Sequence, residues 1–262
     1  MTKPLRLDAE LVKRGLVSSR AEAQRAIEAG EVLVDGLPAT KPAALVRSEQ
    51  NLSLARSEPS FVSRGGDKLD GALARFDVEV GGRVWLDAGA STGGFTDRLL
   101  RGGAARVIAV DVGYGQLDWR LRNDTRVTVL ERINARHLRA SDLPLPPDGV
   151  VADLSFISLT LVLPALAAVA DPGADYVLLV KPQFEVGRKE VPRGGVVRDP
   201  DLWRAALDKV AASARGLGLG AVEAAAATPP GPAGNREFFV HLRRGITCDE
   251  GILERAVGEA AP

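Results

Sequence analysis

Residues 84–96 have the sequence VWLDAGASTGGFT, and this stretch decides the fold of most of the chain. The apolar run Val84–Leu86 is typical of a buried strand, which Asp87 closes. Three glycines in the next seven residues allow a tight turn and let the backbone approach a ligand closely. A helix that begins directly after such a turn presents free N–H groups. The stretch therefore predicts a strand, a turn and a helix that form one wall of a binding site.

Apolar strands and helical stretches alternate along the rest of the chain. Several strands are near-continuous apolar runs, as expected for parallel strands that are covered on both faces. Helical stretches of about 10–15 residues separate most of them, which predicts an α/β fold with a doubly wound, Rossmann-like sheet. The candidate strands are Arg83–Asp87, Arg106–Asp111, Thr128–Glu131, Gly149–Asp153, Tyr176–Lys181, Ala221–Ala226 and Phe238–Leu242.

Polar residues at the strand ends indicate a nucleoside ligand. The turn has the spacing G-x-x-x-G-G, unlike the dinucleotide and P-loop motifs. Asp87 suits a ligand with a positive amino group and would repel a pyrophosphate. Asp111 ends the second strand, where a carboxylate accepts ribose hydroxyls, although nicotinamide enzymes use the same device. Asn134 is placed to meet an adenine edge or is an ordinary loop residue. A turn without any ligand is the plain alternative.

Charged residues also lie at the ends of later strands. Asp153 ends the fourth strand and Lys181 the fifth, although lysine is rarely buried without a partner. A rim salt bridge, which contributes little, is the plain interpretation of this pair. Lys68 begins the helix that enters the domain, and Glu237 begins the last strand. An antiparallel last strand would start at the same edge, so the four side chains are predicted to meet there.

The N-terminal part has the pattern of a small separate domain. Leu7–Lys13 has helical spacing, and Ser19 with Glu22 forms a capping box for a second helix through Ala29. Asp35-Gly36 predicts a hairpin turn. The polar segment 48–60 is interpreted as a linker to the larger domain.

Composition excludes several classes of protein. The chain has 34 basic and 34 acidic residues, so contact with a nucleic acid requires a local patch. The single Cys248 excludes an intrachain disulfide and argues against a Cys-based zinc site, and no metal site is predicted. Charges from Lys3 to Arg14 argue against a signal peptide. The apolar stretch Ile157–Ala170 is shorter than the ~20 residues of a membrane span. We expect a cytoplasmic monomer that does not contact a membrane.

The four charged residues at the strand ends resemble the Lys-Asp-Lys-Glu tetrad of FtsJ-type ribose 2′-O-methyltransferases. The whole chain resembles one branch more closely, the TlyA (hemolysin A-like) family of ribosomal RNA 2′-O-methyltransferases. One departure is segment Ser57–Phe61, which lacks the tryptophan expected in this family. The matching strings are Arg6–Asp8, Val62–Leu69, Asp87–Asp97, Ala152–Ser158 and Val180–Glu185.

The resemblance implies an S4-type RNA-binding domain at residues 1–59 and an FtsJ-like class I methyltransferase domain at 60–262. It implies S-adenosyl-L-methionine as the cofactor and a cytidine 2′-hydroxyl of 16S or 23S ribosomal RNA, or both, as the acceptor. Ribosomal RNA or ribosomal subunits would be the partner. In members of this branch, such modification affects sensitivity to cyclic peptide antibiotics such as capreomycin.

Three groups of site residues follow from these arguments. The catalytic candidates are Lys68, Asp153, Lys181 and Glu237. The cofactor candidates are Asp87, Gly89, Ser91, Thr92, Gly93, Gly94, Phe95, Asp111, Asn134, Asp153 and Phe156. The RNA-binding candidates are Arg6, Lys13, Arg14, Arg20, Arg25 and Arg64, for which a solvated charged surface is the alternative.

The sequence leaves three questions open. Lys181 acts as a base on the hydroxyl if Lys68 crowds it and water is excluded, or it stays protonated and steers the ribose. The rival functions are a nicotinamide oxidoreductase, which would require G-x-G-x-x-G, and a non-catalytic RNA-binding or lytic protein. Segment 186–198 is an RNA contact, a lid or a plain surface loop.

Overall fold

The computed structural model describes residues 4–17, 19–28, 30–54, 61–231, 234–247 and 250–261. The chain divides into two compact units, Met1–Pro59 and Ser60–Pro262. Among the described helices, none is both long and apolar enough to cross a membrane.

The first unit packs two helices on short strands. Strands β1 and β4 form an antiparallel pair, and a second sheet has the order β3-β2-β5. Asp35 and Gly36 both have positive φ, 51° and 83°, which confirms the predicted hairpin turn. Its elements are β1 (Leu5–Arg6), α1 (Leu7–Lys13), α2 (Arg20–Glu28), β2 (Val32–Val34), β3 (Leu37–Pro38), β4 (Leu45–Val46) and β5 (Leu52–Leu54).

Part of the predicted linker 48–60 belongs to this unit, so that prediction is wrong for residues 52–54. Leu54 pairs with Val32 of β2, and Leu52 is buried in the core of the unit. Two leucines at alternate positions place both side chains on one face of the strand, which this core covers. Residues 55–60 and Ala29, where the second helix was predicted to end, lie outside the described residues.

The second unit contains a seven-stranded sheet with the order β11-β12-β10-β9-β6-β7-β8. Strand β12 is antiparallel to both of its neighbours, while β10, β9, β6, β7 and β8 are parallel. All seven predicted strands form, with ends within two residues of the prediction, and the predicted fold class is confirmed. The strands are β6 (Val84–Ala88), β7 (Arg106–Asp111), β8 (Val127–Glu131), β9 (Gly149–Ala152), β10 (Asp175–Val180), β11 (Leu219–Ala226) and β12 (Phe238–Arg244).

Helices cover both faces of this sheet. Because successive side chains of a strand point to opposite faces, Trp85 and Leu86 enter different apolar clusters. Gly149 leaves room for Trp85, since a Cβ there would lie 2.5 Å from the indole ring. The helices are α3 (Arg64–Phe76), α4 (Gly94–Arg101), α5 (Trp119–Arg122), α6 (Leu159–Val169), α7 (Pro182–Glu185), α8 (Pro200–Arg215) and α9 (Glu250–Ala260).

Candidate active site

Three neighbouring strands each place a charged residue at the same edge of the large sheet. Asp153 follows β9, Lys181 follows β10 and Glu237 precedes β12. Val180 pairs with Phe238 across β10 and β12, so Lys181 and Glu237 occupy adjacent strand ends. Neighbouring strands lie about 4.8 Å apart. The antiparallel direction of β12 therefore brings Glu237 to the edge where the parallel strands end.

The four residues predicted to form a tetrad form two ion pairs. The Lys181 ammonium pairs with the Asp153 carboxylate and donates a hydrogen bond to Ser155 Oγ at 3.2 Å. Lys68, on α3, donates to Glu237 Oε2 at 2.5 Å, and both of these side chains are buried. Each lysine thus has its own carboxylate partner, and the arrangement is balanced in charge.

A cavity of about 160 Å³ lies beside the first of these pairs. It joins the glycine-rich turn to the Asp153–Lys181 pair, and α3 contributes Gly65 to its wall. Ser63 and Gly65 were assigned no role from sequence, although the Gly-Gly step at the start of α3 was a signal. The lining residues are Ser63, Gly65, Gly89, Ala90, Ser91, Thr92, Gly94, Phe95, Asp153, Ser155 and Lys181.

The glycines of the turn serve close contacts within the protein. Gly89 has φ 86°, and a Cβ there would lie 2.6 Å from the carbonyl oxygen of Asp153. A Cβ on Gly94 would lie 2.2 Å from Ser63 Oγ and 2.8 Å from the backbone nitrogen of Gly66. Both positions are glycine because neighbouring atoms occupy the space that a side chain would need. The turn therefore packs closely against the residue after β9 and the start of α3.

Asp87 lies beneath the turn and outside the cavity lining. Its carboxylate is fully buried, and Oδ2 accepts a hydrogen bond from Thr96 Oγ1 at 2.7 Å. Oδ1 is buried and has no hydrogen-bond partner among the described residues. Burial raises the pKa of Asp87 to about 7, with Asp153 adding to the rise and the Thr96 hydroxyl opposing it. Asp87 holds the start of α4 through Thr96.

A second depression shares Ala90 and Ser91 with the cavity and continues along the strand ends. Asp111 lies in it and accepts the N–H groups of Ser91 at 2.8 Å and Gly113 at 2.6 Å. A carboxylate has about four acceptor sites, so Asp111 retains capacity for ribose hydroxyls. The lining residues are Ala90, Ser91, Ala109, Asp111, Gly113, Gln116, Leu117, Val129 and Glu131.

The residues of the two depressions fit an adenosyl amino acid. Leu117 and Val129 supply apolar surface for a base, Asp111 supplies acceptors for a ribose, and the glycine-rich turn leads to the charged pair. Glu131 was missed from sequence, although it ends the third strand. Asn134 lies outside both linings. Its Oδ1 accepts the Arg136 N–H at 3.0 Å and caps a short 3₁₀ turn.

Comparison with known proteins shows the family of this chain. The profile of FtsJ-like methyltransferases matches residues 61–244, and the profile of the S4 domain matches residues 5–52. A Mycobacterium tuberculosis protein named 16S/23S rRNA (cytidine-2'-O)-methyltransferase TlyA is 55% identical over 266 residues, which cover 99% of each chain. This chain belongs to the TlyA family of FtsJ-like methyltransferases. The resemblance predicted from sequence is confirmed, and the chain is a methyltransferase.

Two further comparisons extend over most of this TlyA-family chain. Hemolysin A of Brachyspira hyodysenteriae is 37% identical, with 91% of this chain and 99% of the relative covered. A solved protein of Streptococcus thermophilus that carries the name hemolysin superposes with a TM-score of 0.77. It is 37% identical, and 99% of this chain and 98% of that chain are covered. Both units thus have counterparts in one known chain.

Two predicted residues lie at the surface of the FtsJ-like unit. Phe156 is 92% exposed and has φ 64°, a left-handed backbone that is unfavourable for a bulky side chain. Its ring centroid lies 5.2 Å from that of Phe184. Strained backbone of this kind clusters at functional sites. Arg64 is exposed at the start of α3, between the cavity-lining residues Ser63 and Gly65.

In the S4 unit, two buried carboxylates hold four of the predicted RNA-binding cations. Asp8 is 1% exposed and pairs with Arg6 at 2.8 Å and with Arg20 at 3.4 Å. The hydrogen bond from Arg6 lowers the pKa of Asp8 to about 2. Glu10 pairs in the same way with Arg14 and Lys13. Arg25 is exposed and donates to the Ala21 carbonyl at 3.4 Å.

Proposed function

We propose that this chain transfers a methyl group from S-adenosyl-L-methionine to the 2′-hydroxyl of a cytidine in ribosomal RNA. One observation carries the proposal: the Asp153–Lys181 pair and the glycine-rich turn open onto the same cavity. A donor bound along the turn and an acceptor bound at Lys181 would thus meet. The name of the 55% identical relative supports cytidine in 16S and 23S ribosomal RNA as the target.

S-adenosyl-L-methionine, when bound, supplies an electrophilic methyl group on a sulfonium. In our proposal the backbone of Gly89 and Ser91 holds the amino-acid part of this donor. Asp111 receives the ribose hydroxyls, and Leu117 packs against the base. The enzyme must hold the acceptor oxygen in line with the methyl group and the sulfur of the donor. Such positioning lowers the activation barrier by several kcal/mol.

Lys181 is the residue that we assign to the 2′-hydroxyl. Its Nζ is paired with the Asp153 carboxylate and bonded to Ser155 Oγ, so the side chain is fixed in position at the cavity. The geometry therefore supports the second of the two roles left open by the sequence. The ammonium, fixed by Asp153 and Ser155, steers the ribose so that its 2′-oxygen faces the methyl carbon of the donor. The new O–C bond would form as the S–C bond of the donor breaks, and the hydroxyl proton would pass to water.

The role of Lys181 is tested by the pH–rate profile of Lys181→Arg. A steering ammonium predicts that the variant keeps a measurable part of the activity and the pH dependence of the wild type, since arginine remains charged. A base predicts loss of activity. Retention of the S-adenosyl-L-methionine affinity in Lys181→Arg excludes a general disruption of the site.

The acceptor RNA would be held by both units. We propose residues 1–59 as the RNA-binding domain, in which Arg6, Lys13, Arg14 and Arg20 meet phosphates from the positions fixed by their carboxylates. The exposed ring of Phe156 provides a stacking surface, and aromatic side chains commonly hold unpaired bases in this way. This activity is proposed for the cytoplasm, where ribosomes lie.

Mapping of 2′-O-methyl groups tests the function directly. Ribosomal RNA is compared between cells with the chain, without it, and with Lys181→Ala in its place. The expected result is one or a few cytidine riboses that lose methylation in the last two strains. Purified enzyme with separated small and large subunits then assigns each site to 16S or 23S RNA. Identical methylation in all three strains would refute the proposal.

A further inference from the structure

The segment 186–198, between α7 and α8, exposes a cluster of positive charge. Its one acid, Glu190, accepts the N–H of Gly187 at 2.6 Å and so closes a turn within the segment. Within the described part of the chain, no ion pair involves the four basic side chains of the segment. This differs from positions such as Arg98, which pairs with Asp70. The four exposed basic residues are Arg188, Lys189, Arg193 and Arg198.

The segment begins beside the Asp153–Lys181 pair. Glu185, four residues after Lys181, is 3% exposed. Its carboxylate accepts hydrogen bonds from Ser158 Oγ at 2.5 Å and from the Leu159 N–H at 2.7 Å. These contacts tie the chain after β10 to the chain after β9. The first end of the segment is therefore fixed at the edge that carries Asp153 and Lys181.

The segment also ends beside the tetrad. Asn235, two residues before Glu237, is buried and accepts the Val197 N–H at 3.0 Å. It also donates to the Gly195 carbonyl at 3.0 Å. Trp203 Nε1 donates to the Val197 carbonyl at 2.9 Å. Both ends are thus anchored, and the basic residues lie on an arch whose two ends are at the active-site edge.

We propose that this arch, residues 186–198, binds backbone phosphates of the acceptor RNA next to the modified nucleotide. The inference rests on the proposed function, which brings a polyanion to this edge. Phosphate contacts fix the position and orientation of a nucleic acid without reading its sequence. An arch with fixed ends, whose cations pair with no acid among the described residues, suits this task because no existing ion pair has to be broken.

Binding of protein-free ribosomal RNA across a salt series tests the arch. Arg193→Gln and the double variant Arg188→Gln/Lys189→Gln are compared with Arg106→Gln. Arg106 is also exposed but begins β7, at the opposite edge of the sheet. The arch variants are expected to have a higher Kd for RNA and an unchanged Kd for S-adenosyl-L-methionine. The slope of log affinity against log salt should fall by about 0.7–0.9 for each phosphate that a variant no longer neutralises.

The result has two clear outcomes. A lower slope in the arch variants, with Arg106→Gln equal to the wild type, supports the proposal. Wild-type Kd and slope in the arch variants overturn it, as does an equal weakening in Arg106→Gln. A methylation assay on the same proteins keeps this test separate from the proposed function. Failure of the latter would show as a wild type that binds RNA but transfers no methyl group.

Discussion

Lys68 and Glu237, 169 positions apart in the sequence, form an ion pair with 2.5 Å between Nζ and Oε2. The pair joins α3 to the start of β12, and the two side chains are only 7% and 2% exposed. Strand β12 is the neighbour of β10, and Lys181 follows β10. Because Glu237 neutralises Lys68, the second lysine does not act on Lys181 as an uncompensated charge. The buried pair thus ties α3, which contributes Gly65 to the cavity, to the strand beside β10.

Removal of one partner of this pair should destabilise the protein strongly. Glu237→Gln leaves the Lys68 ammonium buried without a counter-charge, and we expect a loss of about 3–5 kcal/mol in the free energy of unfolding. The same helix provides a control, since Arg75 pairs with Glu259 at 2.9 Å in an exposed position. Glu259→Gln should change the stability by less than about 1 kcal/mol. Equal small effects in urea unfolding would contradict the burial argument.

Loss of the Asp153 charge should reduce methyl transfer without unfolding the protein. Asp153→Asn removes the counter-charge of Lys181, and we expect kcat to fall by about 10²-fold or more. Ser155→Ala removes one hydrogen bond to the same ammonium and should lower kcat only about 2–10-fold. Steady-state kinetics with saturating S-adenosyl-L-methionine measures both variants. A larger loss in Ser155→Ala than in Asp153→Asn would mean that Lys181 depends on the hydroxyl for its position.

The large sheet and the hairpin turn at Asp35-Gly36 were predictable from sequence, and strand β5 of the first unit was not. Apolar runs such as Val177–Val180 carry a local signal, because strands covered on both faces must be apolar at every position. Leu52–Leu54 carries no such signal. It becomes a strand because Leu54 meets Val32 far away in sequence, so a polar neighbourhood made it resemble a linker. Pairing between distant residues is a property of the folded chain and is not written in the local pattern.

The residues of the site were predictable in kind, and their partners were not. The strand ends placed Asp153 and Lys181 at one edge, since the parallel strands of an alternating chain end there. Glu237 was expected there only if the last strand was antiparallel, which it is. Which carboxylate meets which lysine depends on distances of a few ångströms between elements. The same limit applies to Asn134, which caps a 3₁₀ turn, and to Glu131, which lines the depression that contains Asp111.

Asp87 should make stability depend on pH. Burial raises the pKa of Asp87 from near 4 to about 7. Between these values the folded protein keeps a proton that the unfolded chain has released, so stability falls as pH rises from about 4 to 7 and levels off above. The difference corresponds to roughly 4 kcal/mol at most. Asp87→Asn should remove this slope in urea unfolding measured from pH 4.5 to 8.

Thr96 provides a second handle on the same group. Its hydroxyl stabilises the charged carboxylate of Asp87 and opposes the rise in pKa. Thr96→Val should therefore raise the pKa further and extend the falling part of the stability curve above pH 7. An unchanged pH slope in both Asp87→Asn and Thr96→Val would show that the carboxylate is already ionised in the folded protein.

Gly94→Ala should weaken cofactor binding. A methyl group at Gly94 would lie 2.2 Å from Ser63 Oγ and 2.8 Å from the Gly66 backbone nitrogen, so the start of α3 must move. Because this part of α3 lines the cavity, we expect the Kd for S-adenosyl-L-methionine to rise about tenfold, as a loss of ~1.4 kcal/mol would produce. A methyl group at Gly71, which lies on α3, would have no neighbouring atom within 4 Å. Gly71→Ala should keep the wild-type Kd and raise the stability by about 0.5–1 kcal/mol. Calorimetric titration with equal Kd values for the two variants would mean that α3 is not held against the turn for the sake of the cofactor.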